Sequence, residues 1–183
     1  MQKSTGSVDG FTLIELMVII AVLGITVLVA SPSLQRALHS NQLRTETSRL
    51  LSAINLARSE AIARNTIVSL CPSSYASDGI ARCSRSYADG WIVFTNADRD
   101  RVVDVGQDKV VRAFTSLPGG YSVKNKAASK NAFELISYRP DGSSRRNMTL
   151  LICPPRNGSV PSWSVVLNMV GRPRVARGWG QCL

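Results

Sequence analysis

The segment Val170-Gly171-Arg172-Pro173-Arg174-Val175-Ala176-Arg177-Gly178-Trp179-Gly180 concentrates three arginines and a tryptophan near the end of a 183-residue chain. A guanidinium is a planar fork that matches phosphate oxygens two at a time and stacks on flat rings, which an ammonium does less well. Gly171 permits a close backbone approach, Pro173 stiffens the run, and Trp179 offers a stacking face. The chemistry on offer is capture of a phosphate-bearing anion. The plainer reading is a charged turn between two strands.

The charge distribution favours a polyanion. Residues 1–108 hold ten Lys/Arg and ten Asp/Glu, whereas residues 109–183 hold twelve basic and two acidic residues, so the whole net charge of +10 lies in the second part. A neutral half joined to a strongly basic half suggests a polyanionic partner. Lys124, Lys126, Lys130, Arg145 and Arg146 extend the arginine surface if the fold brings them beside it. No helix or ribbon for reading base edges is evident, so contact with nucleic acid would rest on the backbone and be largely independent of sequence.

Other chemistry is thinly represented. The sole histidine, His39, falls on a helical stretch with no carboxylate or nucleophile suggested nearby and reads as polar surface. There is no Walker loop, G-x-S-x-G or zinc-protease helix, so the chain is not read as an enzyme and no cofactor is implied. Asn96 to Asp104 spaces three carboxylates as D-x-D-x-x-x-D, a weak calcium pattern, but Arg99 and Arg101 interleave with them and the turn glycine and distal glutamate are missing. A solvated hairpin loop is the reading there. Cys71, Cys83, Cys153 and Cys182 allow three pairings. Sequence proximity favours Cys71–Cys83 and Cys153–Cys182, the second pinning the C-terminus to a strand, and the absence of C-x-x-C spacing speaks against zinc.

The elements that position these residues begin with an oily run. Phe11 to Ala30 carries Glu15 as its only charge, and twenty helical residues span ~30 Å, enough to cross a bilayer. A carboxylate inside such a helix marks a partner or snorkels to the interface; a neighbouring copy's free amino terminus is one such partner. Gly24 and Pro32 are places where the helix could bend or loosen. Further on, Leu43, Thr47, Leu50, Ile54, Ala57 and Ala61 recur at steps of four and three, one buried face of a helix, with Arg44, Glu46, Arg49, Arg58 and Glu60 on the solvated side. This predicts one long helix from about Phe11 to Asn65.

After Asn65 short β-rich runs alternate with Gly, Pro, Asp and Ser. Strands are expected at Thr66–Leu70, Trp91–Thr95, Val110–Thr115, Tyr121–Lys124, Phe133–Tyr138, Met148–Cys153 and Trp163–Val170, with turns at Pro118-Gly119-Gly120, Pro140-Asp141-Gly142 and Asn157-Gly158. The fold class is α+β: a long N-terminal helix packed on an antiparallel β-sheet head. The organisation expected is 1–10 leader, 11–31 hydrophobic segment, 32–65 amphipathic helix, and 66–183 β-rich head. The sequons Asn147-Met148-Thr149 and Asn157-Gly158-Ser159 carry little weight.

Gly10-Phe11-Thr12-Leu13-Ile14-Glu15-Leu16 resembles the class III signal of type IV pilins and type II secretion pseudopilins. In that family a prepilin peptidase cuts after the glycine and methylates the new phenylalanine, and the glutamate guides docking into a filament. The resemblance therefore implies processing at Gly10 and Phe11 and filament assembly through Glu15. It also implies a single-pass inner-membrane protein with a periplasmic head, which then joins other major and minor pilins at the pilus or cell surface. The leader, with one Lys and one Asp, is less basic than many of its kind.

Ala57-Arg58-Ser59-Glu60-Ala61-Ile62, Val68-Ser69-Leu70-Cys71-Pro72 and Gly90-Trp91-Ile92-Val93-Phe94 resemble the GspH/FimT branch of minor pilins. Members of that branch prime pilus assembly, sit near the tip of a secretion pseudopilus, or bind DNA for uptake. Gly171-Arg172-Pro173-Arg174 is similar to the G-R-x-R motif that, in the FimT subgroup, lies in a C-terminal loop and binds DNA. The expected function is thus a minor type IV pilin that binds extracellular double-stranded DNA for natural transformation through Gly171, Arg172, Arg174 and Arg177. A structural minor pilin or pseudopilin is the alternative. A membrane-anchored binding protein that never polymerises is a third.

Overall fold

The computed structural model describes residues 10–155 and 160–182. The expected leader up to Asp9, the Asn157-Gly158 turn and the second sequon lie outside the described residues. The chain divides into two compact units, residues up to Leu38 and residues from His39 onward.

Helix α1 runs Leu13–Arg64 and continues unbroken through Pro32, which removes one helical hydrogen bond without ending the helix. At its start Thr12 Oγ1 accepts from the Glu15 amide at 3.3 Å. Thr12 and Glu15 have the T-x-x-E spacing of a capping box, and a carboxylate in the first turn suits the positive end of the helix dipole. In the first unit the described side chains of α1 are solvent-exposed, and the helix is long and apolar enough to cross a membrane.

The second unit holds all the buried apolar residues described, from Leu43 onward. Its eight strands are β1 Val68–Pro72, β2 Trp91–Thr95, β3 Val110–Phe114, β4 Ser122–Asn125, β5 Ile136–Tyr138, β6 Met148–Cys153, β7 Trp163–Leu167 and β8 Pro173–Arg177. They form two four-stranded sheets, ordered β3-β2-β1-β5 and β4-β6-β7-β8, antiparallel at every pairing. One core joins them to α1: Leu43, Leu50, Ile54, Ala57 and Ala61 pack with Leu70 and Val93 of the first sheet and Val123, Ile152 and Val165 of the second.

The buried helical face is the expected one, Thr47 included. The expected solvated side is not. Glu46 is buried, and it accepts from Gln42 at 2.8 Å and pairs with Arg49. Arg49 lies over the Trp91 ring, 5.2 Å from its centroid, and donates to the Thr115 carbonyl at 2.9 Å. Arg58 and Glu60 are half-buried, leaving Arg44 exposed. His39 is likewise no idle surface group, because its Nδ1 lies 2.7 Å from the Tyr121 hydroxyl. Burial, with Glu46 beside it, raises the Tyr121 phenol above its ordinary pKa.

Several strand bounds shift. Expected Thr66–Leu70 becomes Val68–Pro72, Phe133–Tyr138 shortens to Ile136–Tyr138, Trp163–Val170 stops at Leu167, and Pro173–Arg177 forms strand β8 where the sequence predicts a loop. Both disulfides pair as proximity favoured, with Cα separations of 5.6 Å for Cys71–Cys83 and 5.5 Å for Cys153–Cys182.

Candidate functional site

The arginine run is a hairpin, not a loop. Strands β7 and β8 pair from Trp163↔Arg177 to Leu167↔Pro173, and the turn spans residues 168–172. Pro173 opens an edge strand, where its missing N–H breaks no ladder. Gly171 has φ +83°, and a Cβ there would lie 2.1 Å from the Gly142 carbonyl oxygen and 2.9 Å from the Tyr138 ring. The turn is fastened on several sides. Tyr138 donates to the Gly171 carbonyl at 3.1 Å, Arg172 N to Asn168 Oδ1 at 3.0 Å, Met169 N to Asn147 Oδ1 at 2.9 Å, and Ser144 N to the Met169 carbonyl at 3.0 Å. Burial raises the Tyr138 hydroxyl well above its ordinary pKa, with Arg58 opposing, so it stays a donor.

The Gly142 turn is itself held by α1, since Arg58 Nε donates to the Gly142 carbonyl at 3.1 Å. Asp141 Oδ1 accepts from Ser143 N at 2.8 Å, and hydrogen bonds from Ser143 lower the Asp141 carboxyl below its usual range. The position of the arginine hairpin is thus set from the helix outward.

Strand alternation then separates the three arginines. Val123, Leu150, Ile152, Val165 and Leu167 face the α1 core, so their even/odd partners across the register, Lys124, Thr149, Leu151, Val166 and Arg174, face away from it. Arg174 is on this outer face. Arg177, paired with Trp163, is on the other, with its guanidinium 6.0 Å from the Trp163 ring centroid. Arg177 shares the β7–β8 hairpin with Arg174 but not its face: three residues apart on a strand means opposite faces. Arg172 is exposed in the turn.

The outer face is walled by the C-terminal tail. Gly178 N donates to the Ser162 carbonyl at 2.8 Å, Ser162 Oγ donates to the Gly180 carbonyl, and Cys182 joins Cys153. Leu151, Cys153 and Ala128 form a small buried cluster under this tail. It brings Trp179 between two cations: Lys126 Nζ is 5.2 Å and the Arg174 guanidinium 5.7 Å from the ring centroid. Both exceed the reach of a hydrogen bond but suit cation–π attraction. The ring thereby orients the two positive groups.

Beside them runs a groove of about 740 Å³, with walls drawn from Asn125 at the end of β4 and Lys126 beyond it, Met148 and Thr149 of β6, Val166 and Leu167 of β7, Asn168 in the turn, Arg174 of β8, and Arg146. It crosses all four strands of the second sheet at one end. Arg145, Lys130 and Arg146 line an adjoining groove. Lys124 is half-buried on the outer face. Among the described residues, no ion pair engages Lys126, Lys130, Arg145, Arg146, Arg172, Arg174 or Arg177, and Glu134 is the one acidic residue lining either groove. In the Asn96 to Asp104 loop, Arg101 turns from the aspartates to donate to the Ser84 carbonyl at 3.0 Å and to the Phe133 carbonyl. Desolvation and the neighbouring Asp98, Asp100 and Asp108 raise the Asp104 carboxyl.

A hydrophobic, capped N-terminal helix and a helix-braced antiparallel head define a pilin-like subunit. The chain belongs to the family described as "Type II transport protein GspH", whose model matches residues 46–171; the "Prokaryotic N-terminal methylation motif" matches residues 7–31. It is a type IV pilin-like minor pilin. Similar solved structures include the Pseudomonas aeruginosa type IV minor pilin FimU, at 15% identity over 79% of this chain and 97% of that one, with a TM-score of 0.58. A second crystal form of FimU gives 15% identity, 76% and 99% coverage, and a TM-score of 0.50. The minor pseudopilin EpsH of the Vibrio cholerae type 2 secretion system follows at 14% identity, 74% and 97% coverage, and a TM-score of 0.49. At these identities the likeness to FimU shows the shared fold. No curated protein sequence matches the chain.

Proposed function

We propose that this minor pilin binds double-stranded DNA without sequence preference for uptake in natural transformation, with its head on the periplasmic side before assembly and at the pilus or cell surface afterwards. The observation that carries the reading is the groove across the second sheet. It is walled by Lys126, Arg146 and Arg174, free of ion pairs among the described residues, and presented on a hairpin fixed at both its turn and its tail. Cations already ordered by packing lose little further freedom on meeting phosphates. Thr149 and Val166, the outward-facing strand residues of β6 and β7 in the groove, offer few groups to read base edges, which fits backbone contact.

Titration with unrelated duplexes at several salt concentrations tests this. Affinity should fall as salt rises, with a log–log slope of roughly −0.9 per phosphate neutralised, and Arg172→Ala with Arg174→Ala should weaken all sequences alike. Binding unchanged by that pair would refute the site. The match to the GspH family model supports a second reading, a structural subunit of a pilus or secretion pseudopilus. Under it, deletion abolishes filaments or secretion; under the first, filaments persist and DNA uptake falls. In either reading Gly10 and Phe11 serve prepilin-peptidase processing and Glu15 serves docking.

A further inference from the structure

The groove walled by Arg174 does not end at Arg146. A second groove, of about 670 Å³, opens beyond it, and Glu134, Arg146 and Met148 line both. The second is walled by Arg99, Arg101, Lys130 and Arg145 around Phe133. It contains an arrangement like the one that stands beside the first. Arg101 and Lys130 lie 5.6 and 5.3 Å from the Phe133 ring centroid, as Arg174 and Lys126 lie about Trp179. Both rings are partly exposed, Phe133 at 40% and Trp179 at 44%.

One turn serves both grooves. Asn125 Oδ1 accepts from Ser129 N at 3.0 Å and Lys130 N at 3.4 Å, and its Nδ2 donates to Ser129 Oγ at 3.0 Å. Ala128 is buried there at φ +54°, a conformation an L-residue keeps only when its surroundings enforce it. The turn so fixed sends Lys126 to the Trp179 side and Lys130 to the Phe133 side. Arg101 is fixed as well, through the Phe133 and Ser84 carbonyls.

We propose that the Phe133 groove is a second phosphodiester-binding arm, continuous with the first, so that one duplex is held at two points. This rests on the reading of the Arg174 groove as a DNA site. Four cationic side chains beyond the shared wall face a single carboxylate, Glu134, and the aromatic ring orients two of them without neutralising them. The first groove crosses three strand spacings, ~14 Å at ~4.8 Å each, which covers only ~4 base pairs at ~3.4 Å per pair. The second arm lengthens that footprint and adds phosphates to the count.

The test uses the full chain in non-ionic detergent and a duplex of roughly 20 base pairs, ~68 Å long, titrated across a salt series. Lys130→Ala with Arg145→Ala, both exposed side chains, should cut the magnitude of the log–log slope by about 1.8, or 0.9 per lost contact, with the thermal midpoint unchanged. A wild-type slope retained by that variant overturns the second arm and leaves the first groove standing. No salt-dependent binding by the wild type overturns both. Inorganic phosphate at matched ionic strength distinguishes the source of the anion. It should leave duplex affinity unchanged; selective loss of the Lys130/Arg145 contribution would make this a free-anion site and overturn the arm.

Discussion

Replacing Gly171 with alanine isolates what fixes the arginine hairpin. An L-residue in left-handed backbone costs roughly 1–2 kcal/mol. The added methyl would lie 2.1 Å from the Gly142 carbonyl oxygen, and that oxygen cannot retreat freely because Arg58 donates to it at 3.1 Å. Forced repacking of this kind costs ~1–3 kcal/mol, and misplacing the Gly171 carbonyl loses the Tyr138 hydrogen bond, worth about 1 kcal/mol. The sum is ~3–6 kcal/mol. Gly178→Ala is the matched control, since Gly178 also has positive φ, +69°, but no atom within 4 Å of the added Cβ. It should cost only the conformational ~1–2 kcal/mol. Urea unfolding of both variants reads the difference directly, and the Gly171 variant should also lose duplex affinity. Equal destabilisation of the two would refute the idea that close packing against Gly142, more than backbone conformation, holds the turn.

Removing the Cys153–Cys182 link, with both cysteines changed to alanine, opens a 29-residue separation; loop-closure entropy gives a loss of ~3.6 kcal/mol, measured by urea unfolding, with duplex binding weakened as Trp179 leaves Lys126. Trp179→Ala should weaken binding while keeping the slope near its wild-type value, because it removes orientation and not charge. Asp104→Asn should stabilise at neutral pH. Because the folded carboxyl is raised, its ionisation opposes folding as pH climbs above the ordinary 3.8, so the advantage should vanish in acid below that value; thermal midpoints across pH check it.

The buried face of α1 was legible because Leu43 through Ala61 keep a helical period whatever packs on them. The other side was not, since Thr115, Trp91 and Gly142, which engage Arg49 and Arg58, come from distant segments. His39 met Tyr121 across 82 positions for the same reason. Strand β8 was hidden by Gly171 and Pro173, which punctuate a sequence as loop does; the β-branched Val175 was its one signal. The candidate arginines were visible by composition. Their division between faces needed the β7–β8 register, and the grooves needed the 125–130 turn and the tail, which no local pattern reports.

The central claim is that Lys126, Arg146 and Arg174 form one phosphate-binding groove. The salt dependence of duplex affinity, compared between wild type and the Lys126→Ala, Arg146→Ala, Arg174→Ala triple variant, measures it most directly. The account predicts a slope shallower by about 2.7, or 0.9 for each of three lost contacts. A triple variant that keeps the wild-type slope and affinity would contradict it.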